Sequence, residues 1–264
     1  MSLNEVFTTC RAENRAALIG YLPAGFPSVE ESKDLLGAMI AGTAERPGCD
    51  LVEVGLPFSD PVIDGPTIQA ASDDARKAGF RVRDLFDVVS TVAAAGGSAV
   101  VMSYWNPIHH YGPDAFARDL AAAGGLGLIT PDLVPDEAEE WLSASQQHGL
   151  DRIFLVAPAS TEERIAMTVK AGSGFVYATS VMGVTGARDS VGSQAAGLVR
   201  RTKAYTDLPV GVGLGVRNGE QAAEVASFAD GVIVGSEFVT RARAEGTAGV
   251  GALAAELADG VRRR

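Results

Sequence analysis

The chain has 264 residues, of which 47% are hydrophobic, and it carries a formal net charge of −11 at pH 7. This length suits one large core, two small ones or a single α/β barrel. The acidic balance argues against nucleic acid or an anionic membrane as a partner, and any bound phosphate must be held by local groups.

The cellular location follows from two features of the sequence. Cys10 and Cys49 are the only cysteines, which is typical of a protein from a reducing compartment. Residues 1–15 have no apolar signal core, and no stretch reaches the roughly 18 apolar residues of a membrane span. We therefore expect a soluble cytoplasmic protein.

Short apolar runs alternate with helical patterns from one end of the chain to the other. Ser2 and Glu5 have the spacing of a capping box, which predicts a short opening helix. Strands are predicted at 17–22, 51–54, 99–103, 126–130, 153–156, 175–179, 210–212 and 231–234. Helices are predicted at 28–39, 67–78, 82–95, from Pro113, and at 136–147, 161–170, 194–206, 218–227 and 250–261.

Eight strand–helix repeats without a linker predict parallel strands that close into a (β/α)8 TIM barrel, a single domain over 1–264. A doubly wound open sheet is the alternative, but no Gly-x-Gly-x-x-Gly follows the first strand. Barrel enzymes work at the C-terminal ends of their strands. This rim is predicted to collect Tyr21, Glu53, Asp60, Asp64, Tyr104, Asn106, Asp132 and Tyr177.

The second predicted strand holds an ionisable residue, Glu53, at a position where an apolar one is usual. A buried carboxylate is costly unless it is paired, hydrogen-bonded or protonated, and a raised pKa suits a general acid or base. The alternative is that Glu53 caps a loop or pairs with an arginine. The stiff loop that follows carries Asp60 and Asp64, which favours a catalytic group of carboxylates.

Two glycine-rich turns follow the seventh and eighth strands, at 211–215 (GVGLG) and 234–238 (VGSEF). Glycines let the backbone approach an anion, and a short helix after Ser236 would direct free N–H groups at it. Barrels often bind phosphate at this place, so the sequence predicts a phosphate site here. Each turn taken alone is also typical of an ordinary loop.

The segment 181–193 follows the sixth strand and contains three glycines without periodicity, which predicts a lid or a plain surface loop. A closed lid would bring Thr185 towards a loop carboxylate such as Asp64. His109 and His110 are neighbours that rarely share a metal, and no third ligand is spaced for one. We predict no metal site and no nucleophilic triad.

Several motifs together resemble those of the tryptophan synthase α subunit family. The most specific are Glu53 with the segments 55–61 (GLPFSDP) and 64–69 (DGPTIQ). Further agreement comes from 131–133 (PDL), 157–158 (AP), 183–186 (GVTG), 213–215 (GLG) and 235–236 (GS). The resemblance spans the first to the eighth strand. It implies a barrel lyase that cleaves indole-3-glycerol phosphate into indole and glyceraldehyde 3-phosphate.

The resemblance also implies roles for single residues. Glu53 is similar to the general acid/base that protonates indole C3, and Asp64 to the carboxylate that binds the indole N–H. By the same resemblance, substrate is contacted by Tyr21, Tyr104, Tyr177 and Thr185, and phosphate by Gly186, Gly215, Gly235 and Ser236. Pro57, Phe58 and Asp60 fall where the family contacts its β subunit, in an α2β2 heterotetramer. Pyridoxal phosphate is expected only in that β partner, and no cofactor is expected in this chain.

Three other functions are weighed against this one. A stand-alone indole-3-glycerol phosphate lyase would release free indole without a partner. A non-catalytic barrel would only activate a partner, and the intact Glu53 and Asp64 argue against it. An isomerase or aldolase acting on another phosphosugar would be expected to show a catalytic lysine or cysteine at a strand end, and the sequence has none there.

Overall fold

The computed structural model of the chain describes residues 2–179 and 188–263. Every strand pair in it is parallel. The strands are β1 Ala17–Pro23, β2 Leu51–Gly55, β3 Ala99–Met102, β4 Gly127–Ile129, β5 Asp151–Ile153, β6 Leu155–Val156, β7 Val176–Thr179, β8 Val210–Gly213 and β9 Gly231–Val234.

The strand order in the sheet is β5-β4-β3-β2-β1-β9-β8-β7-β6. The two edge strands, β5 and β6, follow each other in the chain and are separated only by Phe154. They are therefore two halves of one barrel strand, and the chain itself joins the two edges of the sheet. The predicted (β/α)8 barrel is confirmed, and its fifth strand begins two residues before the predicted 153–156.

Helices cover the outside of this barrel. They are α1 Leu3–Ala12, α2 Val29–Ala41, α3 Pro66–Lys77, α4 Val82–Ala94, α5 Trp105–Tyr111, α6 Pro113–Ala122, α7 Glu139–His148, α8 Glu162–Ala171, α9 Arg188–Lys203, α10 Gly219–Ala226 and α11 Ser236–Val261, with a 3-10 turn at Pro135–Glu137. The predicted capping box is present, because the Ser2 hydroxyl accepts the Glu5 N–H and the Glu5 carboxylate accepts the Ser2 N–H. No helix in the described ranges has both the length and the apolarity that crossing a bilayer requires.

Three elements differ from the sequence predictions. Helix α5 was not predicted, and the Asp132 carboxylate from the next βα loop accepts its first N–H, that of Trp105, at 2.9 Å. Helix α9 begins at Arg188, so the predicted loop 181–193 is wrong for its last six residues; the part at 181–187 lies outside the described residues. Helix α11 starts at Ser236 and bends at Gly246, where φ is +62°, rather than starting near 250.

Side chains alternate between the two faces of each strand, as the period of a β-strand requires. One set points into the barrel and includes Ile19, Leu51, Val100, Ile129 and Ile233. The other set packs against the helices and includes Leu18, Val52, Val101, Leu128 and Val232.

Helix α1 closes the lower end of the barrel. Its Leu3 and Phe7 belong to the interior cluster, and the Phe7 ring lies 5.4 Å from that of Phe175. The interior is therefore packed from below with apolar side chains. Only the opposite end, where the strands terminate, is left for a cavity.

A buried ion pair joins the end of α1 to the start of β2. The Arg15 guanidinium donates to both Asp50 carboxylate oxygens at 2.7 and 2.8 Å, and Asp50 also accepts the Leu18 N–H at 2.8 Å. Arg15 is only 6% exposed. Arg15 also donates to the exposed Glu13 at 2.6 Å, so Asp50 is the less exposed of its two carboxylate partners.

We expect Asp50→Ala to lower the free energy of unfolding by about 1.5–3 kcal/mol, because the buried guanidinium loses two charge-assisted hydrogen bonds and keeps only its contact with Glu13. Asp259→Ala is the matched control, since it breaks an exposed pair with Arg46 at 2.9 Å and should cost no more than about 1 kcal/mol. Urea unfolding followed by circular dichroism measures both. Equal losses in the two variants would contradict a special role for the buried pair.

Candidate active site

A cavity of about 460 Å³ opens at the C-terminal end of the barrel. It is formed by the ends of the strands and the loops that follow them. Its lining residues are Tyr21, Glu53, Ile63, Asp64, Gly65, Ile68, Met102, Tyr177, Thr179, Gly213, Gly215, Ile233, Gly235 and Ser236. The volume is in the range of a small-molecule site, and mostly apolar walls with a few convergent polar groups are typical of one.

Glu53 lies on the inner face of β2 because it is two residues beyond Leu51, which also points inward. Its neighbours across the sheet are Tyr21 on β1 and Val100 on β3. The side chain is 1% exposed, and neither carboxyl oxygen has a hydrogen-bond partner among the described residues. Burial raises the pKa of Glu53 to about 8. Among the described residues, Glu53 therefore neither caps a loop nor pairs with an arginine.

Asp64 enters the cavity from the loop between β2 and α3 and is half-buried. Burial raises its pKa to about 6, and a hydrogen bond with Tyr104 partly opposes that rise. The two carboxyl groups therefore have different environments, one apolar and without partners, the other hydrogen-bonded at the cavity wall. Such a difference allows one acid to be protonated and the other ionised at the same pH.

Tyr21 and Tyr177 share the cavity with the two acids. Both side chains line the cavity, and burial raises the pKa of each well above its usual value. The charges of Glu53 and Asp64 add to that rise in both tyrosines, which places each phenol close to both carboxyl groups. The two acids thus open onto one cavity.

Another wall of the cavity is formed by glycines and the start of a helix. Gly213 is the last residue of β8, Gly215 lies in the loop after it, and Gly235 and Ser236 form the start of α11. Gly215 has a φ of +65°, a conformation that favours glycine. A Cβ on Gly213 would lie 2.9 Å from the Tyr177 hydroxyl, so a side chain there would narrow the cavity.

The start of α11 has the properties of an anion site. Its N-cap residue, Gly235, makes no side-chain capping bond, and Gly235 and Ser236 both line the cavity, so the N-terminal end of the helix lies at the cavity. None of the described lining residues is a lysine or arginine. An anion bound there would depend on backbone N–H groups and the helix dipole.

The structure brings most of the predicted site residues to this one cavity: Tyr21, Glu53, Asp64, Tyr177, Gly215, Gly235 and Ser236. Tyr104 does not line it and instead contacts the loop that carries Asp64. Pro57 is buried, Phe58 packs on Tyr104, and Asp60 is exposed on the rim. Thr185 and Gly186 lie outside the described residues.

Sequence reasoning missed several apolar lining residues, among them Ile63, Ile68, Met102 and Ile233. The period of two was a usable signal for the strand residues, because Met102 is two positions after the inward-facing Val100. Ile68 lies in the first turn of α3, and it reaches the cavity because the loop between β2 and α3 brings that turn to the cavity. Asn106 and Asp132, predicted at the rim, do not line the cavity, and Asp132 caps α5.

The histidines make ordinary surface contacts. His148 pairs with Asp114 at 2.9 Å, and His109 lies 3.6 Å from Glu140. Over the ranges 2–179 and 188–263, no group of three potential metal ligands comes together.

Fold and site together define a barrel enzyme with two carboxyl groups of unlike environment at its C-terminal rim. A family model described as "Tryptophan synthase alpha chain" matches residues 7–259. The tryptophan synthase alpha chain of Nocardia farcinica is 61% identical over 260 residues, which is 98% of this chain and 96% of the relative. That of Mycobacterium marinum is 61% identical over 262 residues, 99% of this chain and 95% of the relative.

Solved structures agree with these sequence relatives. A structure of Mycobacterium tuberculosis tryptophan synthase superimposes with a TM-score of 0.91 at 60% identity, covering 98% of both chains. The tryptophan synthase subunit alpha of Legionella pneumophila has a TM-score of 0.87 at 30% identity, covering 100% of this chain and 98% of that one.

The chain belongs to the tryptophan synthase alpha chain family. This membership confirms the resemblance seen in the sequence, the lyase class and the α-subunit role. A stand-alone enzyme is not favoured, because the relatives are alpha chains of a synthase.

Glu53→Gln should stabilise the protein increasingly as the pH rises. The folded-state pKa of Glu53, about 8, lies above the ordinary 4.5, so the wild type loses stability between these values as burial opposes ionisation. The two proteins should have similar melting temperatures near pH 5, and the variant should melt several degrees higher at pH 8. A change of 1 kcal/mol in the free energy of unfolding shifts the melting temperature of a chain of this size by roughly 2–4 °C.

Differential scanning calorimetry across that pH range measures the effect. Glu163→Gln is the control, since Glu163 is exposed on the first turn of α8 and its replacement should give no pH-dependent gain. A melting difference for the Glu53 variant that stays constant from pH 5 to 8 would contradict the buried, protonated state of Glu53.

Proposed function

We propose that the chain cleaves indole-3-glycerol phosphate by a retro-aldol reaction in which Glu53 and Asp64 are the acid–base pair. Bond cleavage between indole C3 and the glycerol carbon requires a proton on C3 and the loss of a proton from the adjacent glycerol hydroxyl. The products are indole and glyceraldehyde 3-phosphate. The observation that carries this proposal is a pair of carboxyl groups with different pKa values facing one cavity.

Glu53 acts as the general acid in this proposal. With its pKa raised to about 8, it holds a proton at neutral pH that it gives to indole C3. The carboxylate that results accepts the proton of the glycerol hydroxyl as the carbon–carbon bond breaks. Glu53 thereby returns to its starting form, and no net proton is consumed.

Asp64 acts as an ionised partner of the indole ring. With its pKa near 6, it is mainly a carboxylate at neutral pH and accepts the indole N–H. Protonation at C3 places positive charge on the ring, and a nearby carboxylate stabilises that charge. Tyr21, Tyr177 and Met102 form the walls that enclose the ring.

The phosphate is assigned to the backbone wall made by Gly215, Gly235 and Ser236. N–H groups at the start of α11 suit a phosphate, which the net negative charge of the protein would otherwise repel. Binding this remote end of the substrate supports orientation at C3. Gly186 and Thr185 are assigned, from the sequence motif alone, to phosphate contact and to closure over the site.

The chain works with a tryptophan synthase β subunit, and we place its contact surface at the loop between β2 and α3. Pro57, Phe58 and Asp60 belong to this loop. Its tip exposes the adjacent residues Val62 by 78% and Ile63 by 47%, and contiguous exposed apolar surface is a feature of protein contact sites.

Pyridoxal phosphate is assigned to the β subunit, and this chain needs no cofactor for the proposed acid–base steps. Two buried free cysteines fit a cytoplasmic location.

Glu53→Gln should abolish indole release, and the wild type should show a bell-shaped dependence of kcat/KM on pH. Asp64 must be ionised, so activity falls as the pH drops through about 6; Glu53 must be protonated, so activity falls as the pH rises through about 8. A colorimetric indole assay with purified protein measures both. Activity above a few per cent in the variant would exclude Glu53 as the acid, and Glu163→Gln should behave as wild type.

Val62→Asp should weaken binding to a purified β subunit at least tenfold, because it places a charge on the exposed apolar tip of the loop. Tyr205→Ala is the control: this residue is 45% exposed but lies between α9 and β8, at the opposite end of the barrel. Calorimetric titration and co-elution measure the affinity. Unchanged binding in the Val62 variant would move the interface away from this loop.

A further inference from the structure

Tyr104 follows β3 and makes an unusual set of contacts with the loop that carries Asp64. Its hydroxyl oxygen accepts the backbone N–H groups of Val62 and Ile63, each at 3.0 Å. Its ring packs on Phe58 at 5.3 Å between ring centroids, and the residue is 3% exposed. The side chain therefore holds both ends of the segment 58–63.

Asp64 follows directly on these two anchored residues, and the nearby Tyr104 hydroxyl lowers the pKa of its carboxyl group by acting as a hydrogen-bond donor. The oxygen accepts two N–H groups, so the one hydrogen of the phenol is left to donate to the carboxylate. Accepting two N–H groups polarises the O–H and strengthens its donation. The phenol of Tyr104 can accept both N–H groups and donate its hydrogen at the same time. A phenylalanine has the same shape but can make none of these three hydrogen bonds.

We propose that Tyr104 is a positioning residue of the reaction: it anchors the backbone at residues 62 and 63 and thereby holds the ionised carboxylate of the next residue, Asp64, towards the indole N–H. This inference rests on the proposed function and deepens it, since Tyr104 itself does not line the cavity. Tyr104 connects β3 to the loop after β2. The position of the second acid is thereby set by the barrel wall and not by the loop alone.

The other groups that face Asp64 do not supply this contact. The charge of Asp64 acts on the buried phenols of Tyr21 and Tyr177, and that of Glu53 acts on the same two phenols. No lysine or arginine is among the cavity residues that the structure describes. Loss of the Tyr104 hydroxyl is therefore expected to raise the pKa of Asp64 and to leave less of it ionised at neutral pH.

Tyr104→Phe tests the proposal with packing on Phe58 retained. We expect kcat for indole release to fall roughly tenfold with KM within about threefold, the size of one lost hydrogen bond to a charged group. The acidic limb of the pH profile should move up by roughly 0.5–1 pH unit, and the basic limb should stay in place. The limb shift is a result that general loosening of the fold would not give.

Tyr111→Phe is the matched control, because the Tyr111 hydroxyl also donates to a carboxylate, that of Asp119 at 2.6 Å, between α5 and α6. It should leave the rate and both limbs unchanged. A double variant adds a second check: in an Asp64→Asn background, Tyr104→Phe should have less than a twofold further effect on kcat.

A measurement without substrate separates this proposal from the proposed function. ¹³C NMR of the aspartate-labelled full chain, with the Asp64 signal assigned from Asp64→Asn, should show the Asp64 pKa rising by roughly 0.5–1 unit in Tyr104→Phe and not in Tyr111→Phe. An unchanged titration overturns the positioning role. A wild type that releases no indole overturns the proposed function, while the titration still decides the role of Tyr104.

Discussion

The burial of one carboxyl group inside the barrel wall governs the rest of this site. Glu53 replaces an apolar residue on the inner face of β2, and no hydrogen bond from the described residues compensates it. The protein tolerates this because Glu53 is mainly protonated below its raised pKa of about 8. The free energy of unfolding falls as the pH rises towards that value. The cost is useful, since a protonated carboxylic acid held at a fixed place is the reagent that protonation at carbon requires.

A second constraint follows from the first. In the proposed reaction a general acid alone would not stabilise the positively charged ring, so the site would also need an ionised acid whose charge persists in a partly buried cavity. Asp64 fits that requirement, because it lies on a loop that Tyr104 anchors and the Tyr104 hydroxyl lowers the pKa of its carboxyl group. Glu53 is therefore held by a strand and Asp64 by a loop, and both face the same two tyrosines.

The sequence supported several predictions because they depend on local rules. Alternation placed Glu53 on the interior face, and glycines after β8 and β9 marked the backbone wall. The first capping box required only Ser2 and Glu5, which are three residues apart. Helix α5 was not predicted because its first N–H donates to Asp132 from another loop. The local sequence around α5 contains no sign of a capping residue 27 positions away.

The sequence by itself determined the barrel and the family, and it predicted the two acids of the proposed reaction, because strand period, turn residues and motif spacing are local or linear properties. Only the tertiary structure decided that both acids open onto one cavity and that their pKa values differ, because burial depends on which side chains surround a group. It also decided the place of Tyr104, a rim residue in the sequence, which contacts the loop of Asp64 because parallel strands bring the ends of β2 and β3 side by side.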